Sequence, residues 1–334
     1  MSTESITAPV ANENMRHEMI AFAIMAGLLL LAPLVVYPFF LMQALCFALF
    51  ACAFNLLLGY VGLLSFGHAM FLGLAGYIAA HMAKVGTIEI KMIGLAINLG
   101  PQGPLTSILF GAVVSGILGL VVGQLSIRRQ GIYFAMVTLA LSQMVYFFCL
   151  QAPFTHGEDG IQGVPQGKLF GLVDLSNQMN MYFFVLLVFL GSFLLIHRII
   201  NSPFGEIMKS IRENEPRAIS LGYKVDQYKL AAFVMSAFLV GVAGSMKALV
   251  AQNASLTDVH WSMSGEVVLM TLVGGLGTIF GPVVGAFVII AMQNYLAGFG
   301  SWVTVIQGVI FVACVLAFRR GLVGEIAHKL KITL

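Results

Sequence analysis

Charge is what this chain has least of. Its 334 residues include only 17 Lys or Arg and 14 Asp or Glu, 9% in all, against 59% hydrophobic residues. A soluble domain usually carries about 25% charged residues, and no soluble fold of this size hides so much apolar surface beneath a wet exterior. The shortage excludes an ordinary soluble protein and implies many membrane spans in one bundle. The net charge is only +3, and the basic residues cluster between apolar runs. That distribution fits membrane topology and leaves no nucleic-acid-binding face. Cysteine is also scarce. Cys46, Cys52, Cys149 and Cys314 all sit in apolar runs, without metal-ligand or redox spacing, so they read as small apolar fillers and no metal site is expected. A phosphate loop of the form G-x-x-x-x-G-K-[ST] is missing as well. "GGLGTIFG" at 274–281 lacks the lysine and lies between apolar runs, so nucleotide hydrolysis by the usual loop is excluded and no cofactor of the chain's own is expected.

Long apolar runs are abundant. A span needs about 20 mostly apolar residues, and about ten candidates meet this, at 20–36, 39–58, 62–83, 105–126, 132–150, 181–200, 229–250, 256–274, 282–298 and 301–318. The fold class is therefore all-α and polytopic. The third, eighth and ninth runs are short or glycine-rich and are expected to be broken or re-entrant. Residues 1–19, with three Glu and one Arg, do not resemble a cleaved signal, and are expected to form an N-terminal tail before the first span. With ten spans, Arg128, Arg129, Arg198, Lys209, Arg212, Arg217, Lys224, Lys229, Arg319, Arg320, Lys329 and Lys331 fall on one side, 12 of the 17 basic residues. The positive-inside rule then places both termini and the 201–228 loop in the cytoplasm, with 151–180 outside. The domain reading is a tail over 1–19, one transmembrane domain over 20–320 and a second cytoplasmic tail over 321–334.

One stretch concentrates the charge. Residues 202–229 hold Glu206, Lys209, Arg212, Glu213, Glu215, Arg217, Lys224, Asp226 and Lys229. Ser202–Pro203 is a helix start, with a cap residue and proline in the first turn. Phe204, Ile207, Met208 and Ile211 follow at helical spacing and form one apolar stripe. Pro216 predicts a turn at Glu215, and a second short helix over 217–221 is expected to stop at Gly222. Two readings stand for this pair: an interfacial connector with its apolar face in lipid headgroups, or a docking element for a soluble partner.

Two glycine-rich stretches, "GYVGLLSFGHAMFLGLAGY" (59–77) and "GGLGTIFGPVVGAF" (274–287), occupy opposite halves of the chain. Paired interruptions of this kind mark transport pathways; close helix packing through small residues accounts for them equally well. Ionisable residues inside spans are costly and are functional candidates by default. His68, Lys247 and Glu266 are the few present. Candidate pathway residues are Asn55, Ser65, His68, Thr138, Gln143 and Glu266, and Lys247 with Glu266 is a candidate intramembrane ion pair. For His68 the competing reading is a satisfied packing histidine; for Lys247 it is snorkelling to the outer surface. His68, Ser65 and Glu266 form no recognisable catalytic motif, so no catalytic residue and no enzyme activity is expected.

Five stretches, in order, resemble the LivM-type permeases of branched-chain amino-acid ABC importers: 55–77, "GIYFAMVTLALSQ" (131–143), "THGEDGIQGVP" (155–165), "SIRENEPRAISLGYKVDQYKL" (210–230) and 257–286. The resemblance implies a permease subunit in the bacterial inner membrane, importing branched-chain or related amino acids from the periplasm. It implies separate ATPase subunits that bind ATP and Mg, a sister permease in a heterodimer and a periplasmic solute-binding protein. By position, Glu215, Ala218 and Gly222 match the spaced core of the family's coupling loop, with Phe204, Gly205, Arg212 and Arg217 alongside. Pro216 and Arg217 separate Glu215 from Ala218, unlike the tighter pattern of many other importers. Two alternatives are an importer of another small amide or urea-like solute and an ion-coupled secondary transporter. The latter leaves the charged loop unexplained and has only Glu266 for ion coupling.

Overall fold

Proline opens several of the helices. Pro38 begins α2 (Pro38–Leu58), Pro104 begins α4 (Pro104–Ser126), Pro203 begins α7 (Pro203–Glu213), and Pro282 lies in the first turn of α11 (Gly281–Tyr295). In a first turn the missing N–H has no intrahelical partner to lose. The remaining helices are α1 (Ala8–Leu31), α3 (His68–Lys84), α5 (Ile132–Gln151), α6 (Gln178–Ile200), α8 (Glu215–Ser220), α9 (Val225–Ala251), α10 (Trp261–Gly274), α12 (Trp302–Ala317) and α13 (Gly321–Leu330). The structure is a computed structural model and describes residues 8–90, 95–98, 100–129, 131–169, 171, 173–300, 302–317 and 321–330. The first seven residues, the last span's end at Phe318, and the basic positions Arg319, Arg320 and Lys331 lie outside the described residues.

Every apolar run read as a span carries a helix, so the chain is an all-α polytopic protein. Among the described residues five helices, α2, α4, α5, α6 and α9, are long and apolar enough to cross a membrane. The three irregular runs give shorter helices than expected. The third begins only at His68, because Gly62 takes a φ of +81° that no helix accommodates. The eighth is split into a 3-10 turn (Leu256–Asp258) and α10, which His260 caps by accepting from the Ser262 N–H. The ninth, α11, follows an irregular 275–280 connection in which Gly275 and Gly277 both have positive φ.

α2 is the axis of the bundle, with α6, α9, α10 and α11 packed around it, and α9 packs in turn on α3 and α4. A helix that is apolar on all sides belongs in such a core. Close approach of α3 and α9 depends on Gly244, where a Cβ would lie 2.0 Å from the Leu72 carbonyl oxygen. Serines add the polar contacts typical of membrane helices: Ser115 donates to the Ala237 carbonyl at 2.8 Å, and Ser245 to that of Ala75 at 3.2 Å. α1 lies along α6, stacking Phe22 on Phe193 and receiving the Tyr182 hydroxyl at the Leu29 carbonyl. α5 stands at the margin and exposes Ile132, Tyr133, Met136, Met144 and Phe147.

Short strands, absent from the sequence expectation, form three antiparallel pairs: β1 (Thr87–Ile90) with β2 (Leu95–Asn98), β3 (Ile161–Gln162) with β6 (Asn253–Ala254), and β4 (Lys168–Leu169) with β5 (Val173–Asp174). The β3–β6 pair joins the 151–180 loop to the end of α9, where Lys84 also donates to the Gln162 carbonyl at 2.8 Å. Described helices reach into both stretches read as tails. α1 starts at Ala8, and α13 packs on α10 and α11.

Candidate functional site

The charged island folds as two capped helices on the bundle. Ser202 accepts from the Gly205 N–H at 3.4 Å at the start of α7, and Asn214 accepts from the Arg217 N–H at 3.1 Å at the start of α8. α8 already includes Glu215, where a turn was expected: Pro216 falls in its first turn and costs no hydrogen bond. Gly205 is required by close approach, since a Cβ there would lie 1.9 Å from the Ile200 carbonyl oxygen of α6. The apolar stripe of α7 faces the protein. Met208 and Ile211 are buried, Ile211 packs with Ala218 and Val225, and the Phe204 ring lies 5.6 Å from that of Tyr228. The stripe is thus packed largely against the chain's own residues. Glu206 and Lys209 pair at 2.9 Å on the opposite, solvated face.

Several loop residues take roles other than those sequence suggested. Glu215, matched by position to the coupling-loop core, accepts from Lys229 at 2.6 Å, and Lys229 is almost fully buried. A buried ammonium needs such a partner, so the pair pins α8 to α9. Ala218 is buried inside the loop and offers no surface for backbone approach. Gly222 has φ +89° in open space and ends α8 in a left-handed conformation, while the Tyr223 N–H returns to the Ala218 carbonyl at 3.2 Å. Arg217 is exposed. Beside it, Ile219, Leu221 and Tyr223 form an exposed apolar patch that the sequence reading missed. The available signal was three large apolar residues crowded around Gly222 in an otherwise charged stretch.

Arg212 stays exposed, yet it donates through Nη1 to the Gly59 carbonyl at the end of α2. Two segments meet here. Asn55 donates through Nδ2 to the Thr278 carbonyl at 2.9 Å and accepts from the Gly277 N–H at 3.1 Å. The interruption at 59–67 and that at 275–280 are therefore joined at one end of the bundle, beneath α7.

The other pathway candidates do not share one place with Asn55. Ser65 is buried and accepts from the Gly67 N–H at 3.2 Å. His68 is fully buried among Phe54, Phe71 and Phe233, and its Nε2 lies 3.0 Å from Ser236 Oγ. Ser236 passes the bond on to the Ala53 carbonyl at 2.6 Å, while His68 Nδ1 is buried without a hydrogen-bond partner. Thr138 bonds its own helix at Ala135, 2.9 Å away, and its carbonyl faces Gly67. Gln143 is half-buried on α5. Ser65, His68 and Thr138 thus gather around the start of α3, while Asn55 belongs to the junction beneath α7. Glu266 accepts from Gln293 at 3.0 Å. The expected Lys247–Glu266 pair is replaced: Lys247 meets Asp258, which the 3-10 turn before α10 brings within reach, and lies 5.2 Å from the Phe47 ring centroid. Among the described residues no group of three or more His, Cys, Asp or Glu could hold a metal ion.

The geometry is that of a multi-pass apolar bundle, with two interrupted segments meeting beneath a capped helical pair. Residues 36–316 match the family described as the permease component of branched-chain amino acid transport systems, and the chain belongs to that family. It is 25% identical over 301 residues to the high-affinity branched-chain amino acid transport system permease protein LivM of Salmonella typhimurium, covering 83% of this chain and 68% of that one. The LivM protein of Escherichia coli matches with the same identity and coverage. A probable LivM protein of Methanocaldococcus jannaschii is 25% identical over 262 residues, 69% of this chain and 72% of that one. No solved structure matches the chain.

Proposed function

We propose that this chain is the membrane permease subunit of an ATP-driven importer that carries branched-chain or related amino acids from periplasm to cytoplasm. The observation that carries the reading is the α7–α8 platform. Lys229, the Gly205 approach and Arg212 hold it to the bundle, and it presents Arg217, Ile219, Leu221 and Tyr223 outward. An apolar patch beside a cation suits a soluble partner whose groove excludes water. That partner is an ATPase subunit, which binds the ATP and Mg, since this chain has no phosphate loop. A sister permease and a periplasmic solute-binding protein complete the assembly, and the amino-acid cargo is taken from the names of the LivM relatives. The platform and both termini lie in the cytoplasm of a bacterial inner-membrane protein, as the basic residues of 198–229 support. Residues 1–19 and 321–334 flank one transmembrane domain, with 201–228 as its coupling loop.

The test is co-purification of the tagged chain from its native membrane with mass spectrometry, beside Gly222→Trp. An ATPase and a second permease should accompany the wild type, and the ATPase should be lost with the variant. A chain that purifies alone, and moves leucine in proteoliposomes without ATP, ends this reading.

A further inference from the structure

Arg212 reaches two segments far apart in sequence, the 59–62 stretch at the end of α2 and Gly277, and the contacts differ in kind. Its Nη1 donates to the Gly59 carbonyl, the C-terminal cap position of α2. A helix end carries unpaired carbonyls and partial negative charge, so a guanidinium there is favourable. Its stem crosses the first interruption, where a Cβ on Gly62 would lie 3.2 Å from Arg212 Cγ. The second interruption comes equally close, since a Cβ on Gly277 would lie 3.0 Å from Arg212 Nη1 and 3.4 Å from the Gly59 oxygen. Gly62 and Gly277 both have positive φ, +81° and +77°. Neither position accepts a side chain without strain, and both leave room for the arginine. Asn55 then fastens the second interruption to α2 with one bond given and one received.

We infer that Arg212 is a positioning residue that transmits displacement of α7 to both interrupted segments at once. The inference rests on the ATPase-driven function proposed above. α7 is braced against α6 at Gly205, so it moves as a body with that contact. Residues 62–67 and 276–280 carry no helix, so they yield more readily than the helices they join. Through Arg212 the platform grips the end of α2 directly and the 275–280 segment by contact, so neither segment shifts alone. A planar guanidinium with several donors suits this position better than an ammonium, which acts as a point charge.

The test uses the complete importer in proteoliposomes, with Arg212→Ala and Arg212→Met; the second keeps the stem over Gly62 if alanine disturbs the fold. In the complexes that each variant forms with the ATPase, transport per ATP hydrolysed should fall about tenfold, the scale of a typical coupling between sites. A reporter cysteine at exposed Leu276, in the second interruption, should change its maleimide labelling rate between nucleotide-free and vanadate-trapped wild type. With Arg212→Met that change should vanish, while a reporter at Ser210 on α7 still responds. Normal transport by both variants overturns the inference. So does loss of the ATPase with the variants alone, which makes Arg212 a docking residue. A wild type that never binds an ATPase fails earlier and ends the functional reading itself.

Discussion

Lys247 and Asp258 meet at the end of the bundle opposite the α7–α8 platform, with the Lys247 ammonium also lying against the Phe47 ring. Both side chains are largely buried, at 15% and 13% exposure. Removing one charge leaves the other stranded, which costs about 3 kcal/mol for a buried pair, whereas replacing both by apolar residues is often neutral. Lys247→Met and Asp258→Leu should each lower the thermal midpoint in detergent, and the double variant should recover most of it. Additive losses in the double variant would show that the pair contributes nothing.

Gly205→Ala places a methyl group 1.9 Å from the Ile200 carbonyl oxygen. Backbone cannot retreat as a flexible side chain can, so α7 must lift from α6. Overpacking of this kind costs about 1–3 kcal/mol. Limited proteolysis within 201–224 should quicken, with transport falling in parallel. Unchanged cleavage and transport would mean that α6 and α7 are not held in this contact.

Ile219 and Leu221 are exposed at 56% and 68%, on a helix whose inner side is already packed. Aspartate at either position should leave the thermal midpoint alone and abolish ATPase co-purification, a loss of about 2 kcal/mol or more at an interface anchor. Retention of the ATPase by both variants would move the docking surface elsewhere.

Gly222 has open space around it, so its requirement is backbone conformation, not volume. At φ +89° a Cβ costs about 1–2 kcal/mol, which asparagine bears better than alanine. ATPase co-purification should therefore rank Gly222 above Gly222→Asn, and that above Gly222→Ala. Equal recovery by all three would remove any role for the left-handed turn.

Much of this architecture is legible in the sequence, because apolar runs and capping residues act locally. Ser202, Pro203 and Gly222 mark boundaries that the folded chain uses, and the glycines of 59–67 and 274–281 announce the two interruptions. What sequence conceals is which partner a polar side chain finds. Arg212 falls on the charged side of α7 by periodicity and stays exposed, yet α2 ends close enough for it to bond the Gly59 carbonyl. Lys229 reads as one more basic residue beside a span, and only the fold of α8 brings Glu215 to it. Lys247 and Glu266 are a reasonable pair by depth, but the turn at Leu256–Asp258 delivers a nearer carboxylate. The short strands carry no pattern of their own: β3 and β6 pair across the chain only because α9 ends beside the 151–180 loop.

The central position of α2 has a consequence for how the protein is made. Nearly all of this helix is covered in the finished bundle by α6, α9, α10 and α11, so its oily surface is not there to meet lipid. All four of those neighbours come later in the chain. While they are still being synthesised, α2 must reside in the bilayer with the same surface bare, and its composition answers to that interval. A polar residue on α2 that the mature core could satisfy would still be exposed to hydrocarbon during synthesis, long before its partner arrives. The near absence of such residues before Asn55, which lies at the very end facing the platform, records the order of assembly as much as the final packing.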